Sequence, residues 1–131
     1  RSAQARVAAR REQEAAQQPE LPTRAEALAH IQVLCRAYYP QFAATCPGGH
    51  MPKIAVRDMT TRWGSCSSAG NLNYNWKLVL MPGRVMDYVV IHELAHRKEM
   101  NHSARFYAVV AQQMPDYKVW QSWLKEHGRE Y

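Results

Sequence analysis

Residues 92–102 read HELAHRKEMNH and hold three of the chain's six histidines beside a glutamate. His92 and His96 stand four residues apart. On a helix that spacing brings their rings to within about 40° of each other around the axis, so both can reach one ion. Glu93 projects to the side of the pair, where its carboxylate reaches a water on that ion rather than the ion itself. This is the HExxH arrangement of two zinc ligands and a general base. A catalytic zinc needs a third protein ligand and keeps a fourth position open. His102 lies six residues beyond His96, past the expected end of the helix. A chain that reverses near Asn101, a residue type tolerant of left-handed backbone, brings it onto the same ion.

The chemistry expected of such a site is hydrolysis. One Zn2+ per chain would lower the pKa of its water and polarise a substrate carbonyl. Glu93 would take the water's proton and pass it to the leaving amine. Arg62, Tyr74 and Tyr107 are the candidates for stabilising the oxyanion. Glu99 is a candidate supporting group or alternative ligand. A purely structural zinc would be closed by four ligands, often thiolates, and Cys35, Cys46 and Cys66 form no CxxC. Three imidazoles also accept nickel or cobalt. The spacing HExxHxxxxxH equals that of the metzincins, but those carry a glycine where this chain has Glu99, and no Met-turn follows.

These residues need elements to position them. A helix over 82–99 presents Val85, Met86, Val89, Val90, Leu94 and Ala95 on a broad apolar face. Upstream, Leu72, Tyr74 and Trp76 alternate with Asn71, Asn73 and Asn75. That is a strand with one apolar and one polar face, and residues 67–70 turn it back on a partner to give a hairpin of 61–66 with 71–78. A further strand holds Ile54 and Val56. Thr23 and Glu26 form a capping box for a helix whose face carries Leu28, Ile31, Cys35 and Tyr38, stopped by Pro40. His30 reads as a surface residue, and 46–52 as a loop exposing His50. Ser103 caps a helix with Phe106, Val109, Val110 and Gln113 at helical spacing, ended by Pro115. Asp116 caps a last helix carrying Trp120, Trp123, Leu124 and His127, with Gly128 as its C-cap. The fold class is therefore α+β: a small antiparallel or mixed sheet packed on the HExxH helix, with further C-terminal helices.

The chain has 131 residues, 47% hydrophobic, enough for a core without disulfides. Residues 1–20, rich in Ala, Arg, Gln and Glu, read as a marginal helix or linker, and 21–131 as one catalytic domain. The start at Arg1 is expected of a piece of a longer protein. An odd count of cysteines and no visible signal peptide or membrane span point to a reducing, cytoplasmic setting. The net charge of +6 is compatible with nucleic-acid proximity, but no dense basic block appears.

Several motifs occur in order: RWGSCS, the N-x-N-x-x-L strand, P-x-x-x-x-D-Y-V-V-x-HELAH, the N-H-S after it, and P-D-Y. Over about residues 53–127 the chain resembles the YgjP-like metallopeptidase family. The resemblance implies a compact zincin, with zinc held by His92, His96 and His102 and Glu93 as base. The family is similar to the SprT and WLM metallopeptidase domains, some of which cut proteins crosslinked to DNA. A β-rich region often precedes this part in the family, and here the Ala/Arg-rich segment stands in that place. In zincins a strand beside the active-site helix pairs with extended substrate. Arg62, Trp63, Gly64 and Ser65 are the matching candidates, against a reading of Trp63 as core and Gly64–Ser65 as a bulge. Cys66 could approach the metal as an inhibitory or redox-sensitive thiol.

A zinc metallopeptidase acting on a protein or peptide is the reading these observations favour. Two others stand beside it. One is a zinc-supported binding module that recruits nucleic-acid-associated protein partners. The other is a metal-dependent hydrolase of a non-peptide amide.

Overall fold

A helix that is apolar nearly all round has to be buried on all sides. The helix carrying HELAH meets that requirement. The computed structural model describes residues 2–17, 20–45 and 50–131. Its elements, in chain order, are α1 (Ala3–Gln17), α2 (Arg24–Tyr38), β1 (Ile54–Arg57), β2 (Gly64–Cys66), β3 (Leu72–Asn75), α3 (Gly83–Ala95), α4 (Ala104–Gln113) and α5 (Tyr117–His127). Helix α3 packs against α2, β2, α4 and α5, and Val85, Val90, Ile91 and Leu94 are fully buried. The α+β class read from the sequence is the observed one. Among the described residues no helix is long and apolar enough to cross a membrane.

The sheet is mixed, in the order β1-β3-β2. Strand β1 runs parallel to β3, with Ile54 opposite Leu72. Strand β2 runs antiparallel to β3, with Gly64 opposite Tyr74. The hairpin turn closes with Gly70 N–H donating to Ser67 O at 2.8 Å. Gly70 sits at φ 84°, where a side chain would be strained. The Arg97 guanidinium donates to the Gly70 carbonyl, tying this turn to the chain just past α3.

Strand β3 is shorter than the alternating pattern suggests. It ends at Asn75, and Trp76–Leu80 forms a 3-10 turn. The cause is the Asn75 side chain, which accepts from Lys77 N–H at 3.1 Å and starts the turn. Its amide nitrogen also donates to Met59 O at 2.9 Å and Arg62 O at 3.1 Å. Asn75 is therefore buried rather than on a solvent face. It pins the segment that carries Arg62. Asn75→Ala should destabilise the fold by about 3 kcal/mol, since it removes the hydrogen bonds this buried side chain makes to Lys77 N–H and to the Met59 and Arg62 carbonyls. Urea denaturation reads this directly.

Other corrections concern helix ends. The Thr23–Glu26 capping box is present, but the buried face of α2 is Ala27, Ile31 and Cys35, with Leu28 and Tyr38 only half-buried. Pro40 ends the α-helix, yet the chain continues as a 3-10 turn over Tyr39–Thr45. Helix α3 stops at Ala95, well short of 99, as Arg97 N–H and Lys98 N–H switch to acceptors three residues back. Ser103 caps α4, accepting from Phe106 N–H. Asp116 stands at the N-cap of α5 without capping it. Its carboxylate instead accepts from Arg84 at 3.0 Å and Trp120 at 3.1 Å. Gly128 is the C-cap of α5 as expected, but its backbone is right-handed and continues into a short 3-10 turn. It is small for a different reason: a Cβ there would lie 3.2 Å from the Trp63 indole nitrogen. Segment 1–20 contains α1, whose described side chains are almost all exposed. His30 and His50 are exposed as expected. The loop residues 46–49, Cys46 included, lie outside the described residues.

Candidate metal centre

The last turn of α3 and the reversal after it bring the three histidines together. His102 Nε2 stands 3.1 Å from both His92 Nε2 and His96 Nε2. One nitrogen from each of the three rings falls within a 4.8 Å cluster. Tetrahedral zinc places its nitrogen ligands about 3.3 Å apart, which this convergence approaches. No left-handed residue builds the reversal, because among the described residues no non-glycine has positive φ. Asn101 contributes differently: its carbonyl accepts from Ser103 N–H at 2.8 Å, a tight turn that delivers His102 directly before α4.

The donor chemistry fits a cation. His96 Nδ1 lies 3.1 Å from the Glu99 carbonyl oxygen. An oxygen that only accepts fixes the ring proton on Nδ1 and leaves a lone pair on Nε2. The part foreseen for Glu99 therefore falls to its backbone, not its carboxylate. Burial, then His96 and His102, push the His92 ring down to about 3, and burial lowers His96 as well. Both shifts favour the neutral ring, the form that ligates a cation. One proton on His102 can serve only one of its two neighbours, whereas a cation serves all three nitrogens.

Phe106 forms the floor of this site. Its ring stacks on His96 with centroids 4.4 Å apart and 23° between planes. It meets the His92 ring edge-on at 4.8 Å. Such packing fixes ring orientation and excludes water from beneath. Tyr88, on the other side, places its hydroxyl 3.3 Å from His92 Nδ1. Sequence reasoning assigned neither residue to the site. The signal was there in the spacing: Tyr88 is four residues before His92, and Phe106 four after His102.

Glu93 is 5% exposed and is not part of the three-histidine group. Burial pushes its carboxyl up to about 7, against the pull of Arg62. Gly64 of β2 makes room for it. A Cβ at Gly64 would stand 2.8 Å from Glu93 Cγ and 2.9 Å from Oε2, closer than side chains pack. Above the site lies a cleft of about 510 Å³, walled by Arg62, Trp63, Gly64 and Ser65 and floored by Glu93 and the histidines. All four sequence candidates for substrate contact thus border it. Trp63 also packs against the core and Gly128, while Gly64 and Ser65 pair with Tyr74 and Asn73 in regular register rather than as a bulge.

Of the three oxyanion candidates, only Arg62 lines the cleft. Tyr74 is fully buried in the core, and its hydroxyl donates to Val90 O at 3.2 Å. Tyr107 stacks on Tyr117 at 5.6 Å and does not border the cleft. Cys66 does border it, but its thiol donates to Ser67 O at 3.5 Å. Burial and the nearby Glu93 raise its pKa, and it is not among the residues whose ligand atoms converge with the histidines.

The family model for the YgjP-like, metallopeptidase domain matches residues 2–127. The chain belongs to the YgjP-like metallopeptidase family. No curated protein matches it significantly. Among solved structures, the metallopeptidase zymogen of Pyrococcus abyssi abylysin superposes with a TM-score of 0.60 at 21% identity. The superposition covers 73% of this chain and 93% of that one. That likeness shows the shared fold.

Proposed function

We propose that this chain is a zinc-dependent peptidase that hydrolyses peptide bonds in an extended protein or peptide substrate. The observation that carries the reading is the convergence of three imidazoles beside a buried carboxyl at the floor of one cleft. His92, His96 and His102 would hold one zinc per chain, which when bound supplies Lewis acidity toward water and carbonyl oxygen. Glu93 takes the proton of the attacking water and delivers it to the leaving amine. Strand β2 is an edge strand, and its residues Gly64, Ser65 and Cys66 face the cleft. An extended substrate pairs with that edge through backbone hydrogen bonds. Arg62 at the rim donates to the developing oxyanion. The catalytic unit is residues 21–131, with α1 outside it, and a reducing compartment such as the cytoplasm suits the thiols.

The test is digestion of unfolded protein and of small non-peptide amides in parallel, before and after chelation and zinc replacement. Peptide cleavage that vanishes on chelation and returns with zinc supports the proposal. Turnover of the small amides alone would favour the non-peptide hydrolase. Zinc binding without any turnover, joined to salt-sensitive DNA retention, would favour the binding module. Arg62→Ala should lower kcat/KM about 100-fold with zinc content unchanged. An unchanged rate would remove Arg62 from the oxyanion site.

A further inference from the structure

The hydrolytic scheme leaves Tyr88 without a task, although it is 4% exposed and touches a histidine of the centre. Its hydroxyl has a second neighbour, for the Gln121 side chain of α5 lies near enough to bear on it. Gln121 Nε2 also donates to the Tyr107 hydroxyl of α4 at 3.4 Å. The Tyr107 ring in turn lies 6.3 Å from that of His102. One amide on the last helix thus neighbours hydroxyls from both helices that bracket the histidine cluster. The Tyr88 hydroxyl sits directly against the His92 ring.

We infer that Gln121 is a positioning residue for the three-histidine centre and acts mainly through Tyr88. For His92 Nε2 to offer a lone pair, the ring proton must sit on Nδ1. The Tyr88 oxygen 3.3 Å away then accepts it. A phenol hydroxyl on an unrestrained ring is a weak director. Held by Gln121, its oxygen stays where Nδ1–H points, and the His92 ring keeps the orientation that aims Nε2 at the other two rings. Groups that support a histidine ligand in this manner are worth about 10- to 100-fold in metal affinity. The arrangement also makes the metal site depend on the docking of α5, an element that contributes no ligand.

This inference rests on the proposed zinc site but not on catalysis, so its test reads metal binding. Zinc affinity would be measured by competition with a chromophoric chelator, and cobalt(II) absorption spectra recorded, for the full chain. The set is wild type, Gln121→Met, Tyr88→Phe and the double variant. Gln121→Met should weaken zinc about tenfold and alter the cobalt spectrum. Tyr88→Phe should weaken it by at least as much. The double variant should bind no more weakly than Tyr88→Phe alone, because the two act in series. Wild-type affinity and spectrum in Gln121→Met would overturn the inference, even if thermal stability fell, and so would additive losses. Should Gln121→Met fail to fold, Tyr107→Phe removes the other hydroxyl that holds the amide. It should weaken zinc severalfold, and no change there would count equally against the inference. Failure of wild type itself to bind zinc would overturn both this inference and the proposed peptidase. Zinc binding without peptide cleavage would overturn only the latter.

Discussion

Replacement of Glu93 by glutamine is expected to abolish peptide hydrolysis, lowering kcat/KM by roughly a thousand- to ten-thousand-fold, while zinc stays at one per chain. The amide keeps the size of the side chain, so the Gly64 contact and the cleft are retained. What it loses is the ability to take and return a proton. The three ring nitrogens do not include Glu93, so metal loading should be unaffected. Parallel elemental analysis and peptide assays separate the two effects. A second readout comes from the metal-free protein. The folded-state pKa of Glu93 is about 7, raised from an ordinary 4.5 by burial. The carboxyl is thus most easily accommodated while protonated. Its contribution to stability is fully present below pH 4.5 and is lost as pH rises through 7. Across that window the wild type should lose up to about 3 kcal/mol that Glu93→Gln does not. The depressed His92 works in the opposite sense, losing stability as pH falls below 6.5 toward 3. It is common to both proteins and drops out of their difference. Activity surviving in Glu93→Gln would rule out this residue as the base.

Gly64→Ala carries the second large effect. The added methyl would stand 2.8 Å from Glu93 Cγ and 3.2 Å from the Asn73 carbonyl oxygen. One neighbour is the side chain proposed as base, and the other is backbone of the strand paired with β2. Neither can yield without cost: either Glu93 swings off its position or the edge strand bows outward. A displacement near 1 Å in a catalytic group costs about 100-fold in rate, and overpacking costs about 1–3 kcal/mol in stability. Gly64→Ala should therefore lower kcat/KM about 100-fold with zinc affinity intact, since the atoms nearest the added methyl belong to Glu93 and Asn73 rather than to a histidine. A variant with wild-type kinetics would show that Gly64 is present for strand geometry alone. Loss of zinc as well would show that β2 and the histidine cluster are mechanically coupled.

What could be read from the sequence was mainly local. His92, Glu93 and His96 share one turn of one helix, so periodicity alone set their relation. The Thr23–Glu26 box and the Ser103 cap were legible for the same reason, because each depends on residues three apart. The 67–70 turn announced itself through its small residues. Assignments that failed depended on what covers a face or ends a helix. Alternation put Asn75 on the polar side of its strand, but carbonyls at Met59 and Arg62 fold over that side and bury it. Tyr74 read as a candidate for chemistry because its hydroxyl is polar. Only the packing shows that hydroxyl committed to Val90 within the core. The support that Glu99 gives to His96 comes from a backbone carbonyl, which no side-chain pattern encodes. Asp116 looked like a cap, yet Arg84, far away in sequence, claims its carboxylate.

The central claim is that His92, His96 and His102 together hold one zinc. The most direct measurement is metal content by elemental analysis of wild type and His102→Ala, purified without a histidine tag and then exposed to zinc. One zinc per wild-type chain, and far less in His102→Ala, is the expected result. Full zinc in His102→Ala, or none in the wild type after zinc is supplied, would contradict a three-histidine centre.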